Sequence, residues 1–163
     1  MVFAPVYQPS NEANQLQMAS ETVNYSNSND IINVNAVTDL IRGKYTLLHS
    51  GDDEYTGTNH DSPGWDNIAN GNRGNDVLKG NATSRDYLRG GKDDDELSGG
   101  ASGHDMLFGD FGDDVVTGST KGTNILRGGK GDDKLKGGDN RDLLVGDYGK
   151  DEMTGGSGSD FFM

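Results

Sequence analysis

From residue 51 to residue 163 the chain repeats one short phrase, Gly-Gly-x-Gly-x-Asp-x-apolar-x. The cleanest copies are GGKGDDKLK (128–136) and GGSGSDFFM (155–163), with GDFGDDVVT (109–117) and GDYGKDEMT (146–154) close behind. A unit of nine or ten residues is too short to be a domain. It cannot bury its apolar residue alone, so the copies must stack, and stacking sets the same residue type copy above copy.

The register gives each position a task. The aspartate position holds Asp53, Asp66, Asp76, Asp86, Asp95, Asp105, Asp114, Asn124, Asp133, Asp142, Asp151 and Asp160. The apolar position, two residues on, holds Tyr55, Ile68, Leu78, Leu88, Leu97, Leu107, Val116, Leu126, Leu135, Leu144, Met153 and Phe162. The insertion TNHDSP (58–63) lengthens one early turn. Glycine suits turns that need left-handed backbone angles. Where the second half of a turn lacks its glycine it carries Ser84, Asp93 or Asn140, and Asp and Asn tolerate that conformation best.

Only 31% of residues are hydrophobic, 26 are Gly, and the net charge is −13. Taken alone these values describe disorder; the phased apolar residues overrule that. The negative charge argues against a nucleic-acid partner, and no apolar run reaches membrane-spanning length. With no cysteine, disulfides and thiolate metals are excluded. His49, His60 and His104 are scattered, without zinc spacing. His60 with Asp61 reads as solvated loop and Trp65 as a packing residue. No catalytic motif is present, so the expectation is a non-enzyme. The N-terminus has neither the basic region nor the apolar stretch of a cleaved signal peptide.

Upstream, residues 1–30 read as a flexible polar arm holding at most one weak helix over 11–23. Residues 31–48 are more apolar and read as one or two strands or a cap for the repeats, which would occupy 49–163.

The phased glycines and aspartates resemble the nonapeptide repeats of the RTX (repeats-in-toxin) family. That resemblance implies an all-β fold: a right-handed parallel β-roll, a calcium-stabilised solenoid with a short N-terminal extension or cap. Two repeats make one coil. It also implies that the turn aspartates and main-chain carbonyls hold Ca²⁺ between successive turns, on the order of ten ions in all. The donors are hard oxygens on flexible loops, which favours Ca²⁺ over Zn²⁺ or Cu²⁺, while Mg²⁺ demands tighter geometry. With two repeats per coil, alternate aspartates fall on opposite edges. One ladder is Asp53, Asp76, Asp95, Asp114, Asp133 and Asp151; the other is Asp66, Asp86, Asp105, Asn124, Asp142 and Asp160. Asn124 lacks the charge and should form the weakest site.

Residues flanking the buried one point outward. One outer face carries Glu54, Val77, Glu96, Val115, Lys134 and Glu152, an ordinary solvated surface. The other carries Tyr87, Met106, Ile125, Leu143 and Phe161, with Arg89, Phe108, Arg127, Val145 and Met163 alongside. Such a patch exceeds what a soluble monomer normally leaves bare; residues 31–48, another copy or another partner would cover it. The terminal Asp160-Phe161-Phe162-Met163 resembles the C-terminal signal of type I export. The expected function is a secreted, calcium-binding structural protein that assembles with itself or with a cell surface. The alternative is the secretion-and-folding module of an RTX enzyme or toxin. Ice or mineral binding is a weaker third, because Lys79 and Lys136 interrupt the outer threonine row.

Overall fold

The computed structural model describes residues 17–19, 22–24, 26–33, 45–57, 67–83 and 85–163. Among them there is no helix. The strands form two sheets wound as a parallel β-solenoid of about six turns. The first sheet joins β1 (Gln17–Ala19), β2 (Thr22–Asn24), β4 (Tyr45–Leu47), β6 (Asn67–Asn70), β8 (Asp86–Lys92), β10 (Met106–Phe111), β12 (Ile125–Lys130), β14 (Leu143–Tyr148) and β16 (Phe161–Phe162) in that order. The second joins β3 (Ile31–Asn33), β5 (Glu54–Thr56), β7 (Val77–Lys79), β9 (Glu96–Ser98), β11 (Val115–Thr117), β13 (Lys134–Lys136) and β15 (Glu152–Thr154). Among the described strands only β1 and β2 pair antiparallel; every other pair is parallel.

Strands β7 to β14 each send one apolar side chain into the core: Leu78, Leu88, Leu97, Leu107, Val116, Leu126, Leu135 and Leu144, stacked in two files that face each other. Two expectations fail here. Phe162, on the last strand of its sheet, has no further coil to cover it and is 51% exposed. Ile68 is half-buried on the outer face, and the inward position belongs to Ala69, opposite Leu88 and Thr46 in the neighbouring strands. The same coil contributes Tyr55 to the core. A small side chain beside a large ring keeps the layer filled without overpacking.

The stack also continues upstream of residue 49. Ile32 is buried like the later core residues, β3 pairs in register with β5, and β2 pairs with β4. Within the segment read as arm or weak helix, the described residues 17–19 and 22–24 are strands. The described parts of 31–48 extend the two sheets. Residues 1–16 and 34–44 lie outside the described residues.

The two sheets meet at two edges, and these differ. At the edge of Asp76, Asp95, Asp114 and Asp133, successive aspartates are 19 residues apart. The steps shorten to 18 residues from Asp133 to Asp151, from Asn124 to Asp142 and from Asp142 to Asp160. The missing residue comes from the opposite edge, where Gly118 to Asn124 is a longer turn than Gly137 to Asp142. The strands of the first sheet continue into the first edge, so β8, β10, β12 and β14 run six or seven residues. Those of the second sheet stop after three, as in β9, β11 and β13.

Candidate metal centre

Edge one is a column of carboxylates. Each aspartate amide donates to the Oδ1 of the aspartate one coil further on: Asp53 to Asp76 (2.8 Å), Asp76 to Asp95 (2.8 Å), Asp95 to Asp114 (2.9 Å), Asp114 to Asp133 (2.9 Å) and Asp133 to Asp151 (3.0 Å). The column reaches back to Asp30, whose amide donates to Asp53 Oδ1 at 2.6 Å. Asp30 does not stand out as a repeat because its turn, Ser26-Asn27-Ser28-Asn29, has no glycine; its signal is the bare Asp-x-apolar of Asp30-Ile31-Ile32.

A second ladder lies outside the first, built by the preceding residue of each turn, and it runs the other way. Asn75 donates back to Asp52, Asp94 to Asn75, Asp113 to Asp94, Asp132 to Asp113 and Lys150 to Asp132, all between 2.8 and 3.1 Å.

The inner aspartates are at most 3% exposed from Asp53 to Asp133. One oxygen of each is satisfied by the ladder. The other, Oδ2, is buried without a hydrogen-bond partner in Asp53, Asp76, Asp95, Asp114 and Asp133, and in Asp105 on edge two. An orphaned buried oxygen costs about 1–3 kcal/mol, and more when charged. Burial accordingly pushes these carboxyls upward, helped by neighbouring carboxylates and opposed by the ladder amides. Asp53 rises to about 6, Asp76 and Asp114 to about 7, and Asp95 to about 9. Asp133 moves the same way. Asp105 rises to about 7 by burial, with Ser119 facing it but leaving Oδ2 unbonded.

Glycine at the start of each turn leaves room for those oxygens. A Cβ at Gly90, Gly109 or Gly128 would collide with Oδ2 of Asp95, Asp114 or Asp133. Later in the turn the backbone is left-handed, at φ 130° in Gly112 and 143° in Gly131. Asp93 fills that place at φ 77°, as Asp can, whereas Asn140 has no positive φ and Ser84 lies outside the described residues. The carbonyls of Asp93 and Gly112 fill the space a Cβ on Gly112 and Gly131 of the next coil would need. Among the described residues no three acidic or histidine side chains form a metal-binding cluster. The donor set that fits a cation here is therefore an orphaned carboxylate oxygen with stacked main-chain carbonyls, a hard-oxygen set of the kind Ca²⁺ takes.

Edge two is made differently. Asp66, with His60, Asp61 and Trp65, lies outside the described residues; the position expected of Asp66 is held by buried Asn67, which aligns with Asp86 and donates to its Oδ1 at 2.5 Å. Asp86 donates to Asp105 (3.0 Å), and Asp142 to Asp160 (2.9 Å). Between them Asn124 closes a network of its own. Its Nδ2 donates to Ser119 O and to Asp142 Oδ1, both at 3.0 Å, and its Oδ1 accepts from the amide and hydroxyl of Ser119.

The outer columns match the sequence reading: Glu54, Val77, Glu96, Val115, Lys134 and Glu152 align on one sheet. Tyr87, Met106, Ile125, Leu143 and Phe161 align on the other. Tyr45 and Ile68 prolong that apolar column. Beside it, Arg89 pairs with Asp110 (2.7 Å), Arg127 pairs with Asp147, and Lys130 lies 5.1 Å over the Phe111 ring. No helix among the described residues is long and apolar enough to cross a membrane.

No curated protein and no solved structure matches the chain. The family model of the RTX calcium-binding nonapeptide repeat matches residues 66–84, 83–116, 100–135, 119–147 and 127–162. Those segments run through the same stacked turns whose buried oxygens and glycine gaps are set out above, and RTX repeats bind Ca²⁺. The chain belongs to the RTX calcium-binding nonapeptide-repeat family.

Proposed function

We propose that this chain is a secreted protein that folds on binding Ca²⁺ and serves outside the cell as a structural, self-assembling or surface-docking element. The observation that carries the reading is the in-register file of buried, unpartnered Oδ2 atoms on Asp53, Asp76, Asp95, Asp114 and Asp133. Stacked carboxylates repel one another, and a core one side chain deep per strand offers little to offset that. Calcium binding and folding then form one equilibrium. Extracellular modules typically bind calcium in the range of roughly 10⁻⁴–10⁻³ M, about the level found outside cells, so such a roll would stay unfolded until export. The half-buried column of Tyr87, Met106, Ile125 and Leu143, ending at exposed Phe161, is the proposed contact face.

Circular dichroism tests the folding claim. We expect an unfolded spectrum in excess chelator, β-structure in millimolar Ca²⁺, and a much weaker response to Mg²⁺. Full, equally heat-stable β-structure in chelator would overturn it.

A further inference from the structure

The two edges satisfy their carboxylates in different ways, and from Asp95 on the difference follows the strand lengths. On edge one β8, β10, β12 and β14 run on into the turn, where Asp110 pairs with Gly91 and Gly129, and Phe111 with Lys92 and Lys130. The amides of that stretch are committed to neighbouring coils and do not turn inward to the carboxylate. Asp53 and Asp76 are orphaned as well, after the shorter β4 and β6, and at Asp30 an edge-one amide does turn inward, Ser26 N to Oδ2 (2.9 Å). On edge two the second-sheet strands stop earlier, and the amide after the first glycine is free to do so. Asn81 N donates to Asp86 Oδ2 (3.1 Å), Ser119 N to Asn124 Oδ1 (3.2 Å) and Gly138 N to Asp142 Oδ2 (2.6 Å). Among the described residues, five of the six orphaned aspartate oxygens are on edge one.

An amide N–H aimed at a carboxylate oxygen both satisfies it and directs positive dipole into the space a cation would take. At Asn124 the replacement is complete: Nδ2 sits between Ser119 O and Asp142 Oδ1, joining two oxygens as a cation would.

We propose that calcium is held as a continuous file along edge one, while edge two keeps its turns closed mainly through its own amides, with Asp105 as the exception. This rests on the reading of the chain as a calcium-binding roll. It lowers the expected stoichiometry from about ten ions to about six and makes one side of the roll metal-dependent and the other largely self-sufficient.

Native mass spectrometry of the full chain in saturating Ca²⁺, with circular dichroism on the same samples, tests it. We expect about six ions, one for each orphaned oxygen. Asp114→Asn should remove an ion and raise the calcium midpoint for folding several-fold. Asn124→Asp keeps the inward Ser119 amide and recreates the arrangement of Asp86 and Asp142, so it should add no ion. A count near ten in the wild type would overturn the inference and leave calcium binding intact. So would an ion lost on Asp142→Asn as readily as on Asp114→Asn, or an ion gained on Asn124→Asp. No bound calcium at all would overturn the functional reading with it.

Discussion

The amide of Asp95 donates to Asp114 Oδ1, 2.9 Å away and one coil on, while Asp114 Oδ2 is buried with no partner. Each inner aspartate of edge one is thus half satisfied by its neighbour and half exposed to the cost of burial. In the metal-free chain this sets a pH dependence. Asp76, Asp95 and Asp114 titrate at about 7, 9 and 7 when folded, against 3.8 for an unperturbed aspartate. The folded state therefore holds the extra protons, and stability must fall as pH rises. The contribution is fully present below about pH 4 and is lost as pH climbs through about 7 to 9. Calcium-free protein, unfolded near neutral pH, should therefore recover β-structure as the pH is lowered toward about 5. Calcium affinity should rise as pH climbs through the same interval, because binding displaces protons. Circular dichroism in chelator and calcium titrations at a series of pH values check both.

Gly109→Ala should raise the calcium needed for folding several-fold, because the new methyl would occupy the space of Asp114 Oδ2. Gly109 carries no positive φ, so the penalty comes from the lost room rather than from backbone strain. A calcium titration followed by circular dichroism reads it.

Leu107→Ala should cost about 2–5 kcal/mol in saturating calcium. Leu107 is the inward residue of its coil in the first sheet and is fully buried between Leu88 and Leu126, so no neighbour in the file can slide in to fill the gap. Urea unfolding gives the difference directly.

Arg89→Ala should cost less than about 1 kcal/mol despite the short pairing with Asp110. The Arg89 side chain is 41% exposed and the pair sits in reach of salt. Melting in low and high salt should show the small effect shrinking further.

Replacing Ile125 and Leu143 by Lys should leave calcium-dependent β-structure intact and abolish calcium-dependent association, followed by light scattering. Both are half-buried on the outer apolar column, clear of the core and of either edge. Association unchanged by the double substitution would remove that column as the contact face.

From Asp76 to Leu144 the sequence is enough to read which residues face inward and which form the edges, since glycine, aspartate and apolar residue recur together; beyond it Phe162 fits the pattern and is still exposed, because no coil follows. The coil before it reads one step out of place. Asp66 with Ile68 and Asn67 with Ala69 both fit an x-polar-x-apolar spacing, and hydrophobicity favours the first. The choice falls to neighbours in other coils, Asp86 for Asn67 and Leu88 for Ala69, which no local pattern reports. The Asp30 turn is hidden for want of glycine. The difference between edges is partly written in the spacing: Gly80 to Asp86, Gly99 to Asp105 and Gly118 to Asn124 each hold one residue more than their edge-one counterparts. Which amide turns inward is settled by pairing between coils, as where Asn72 N donates to Gly90 O rather than to Asp76.

Coil length varies along this chain from 23 residues to 18, yet the strand columns never slip. Every gain and loss falls between a second-sheet strand and the first-sheet strand that follows it, while edge one keeps one spacing throughout. Distance along the axis is therefore counted in coils, at about 4.8 Å each, and not in residues. The molecule is a ruler whose graduations tolerate insertions on one side and forbid them on the other.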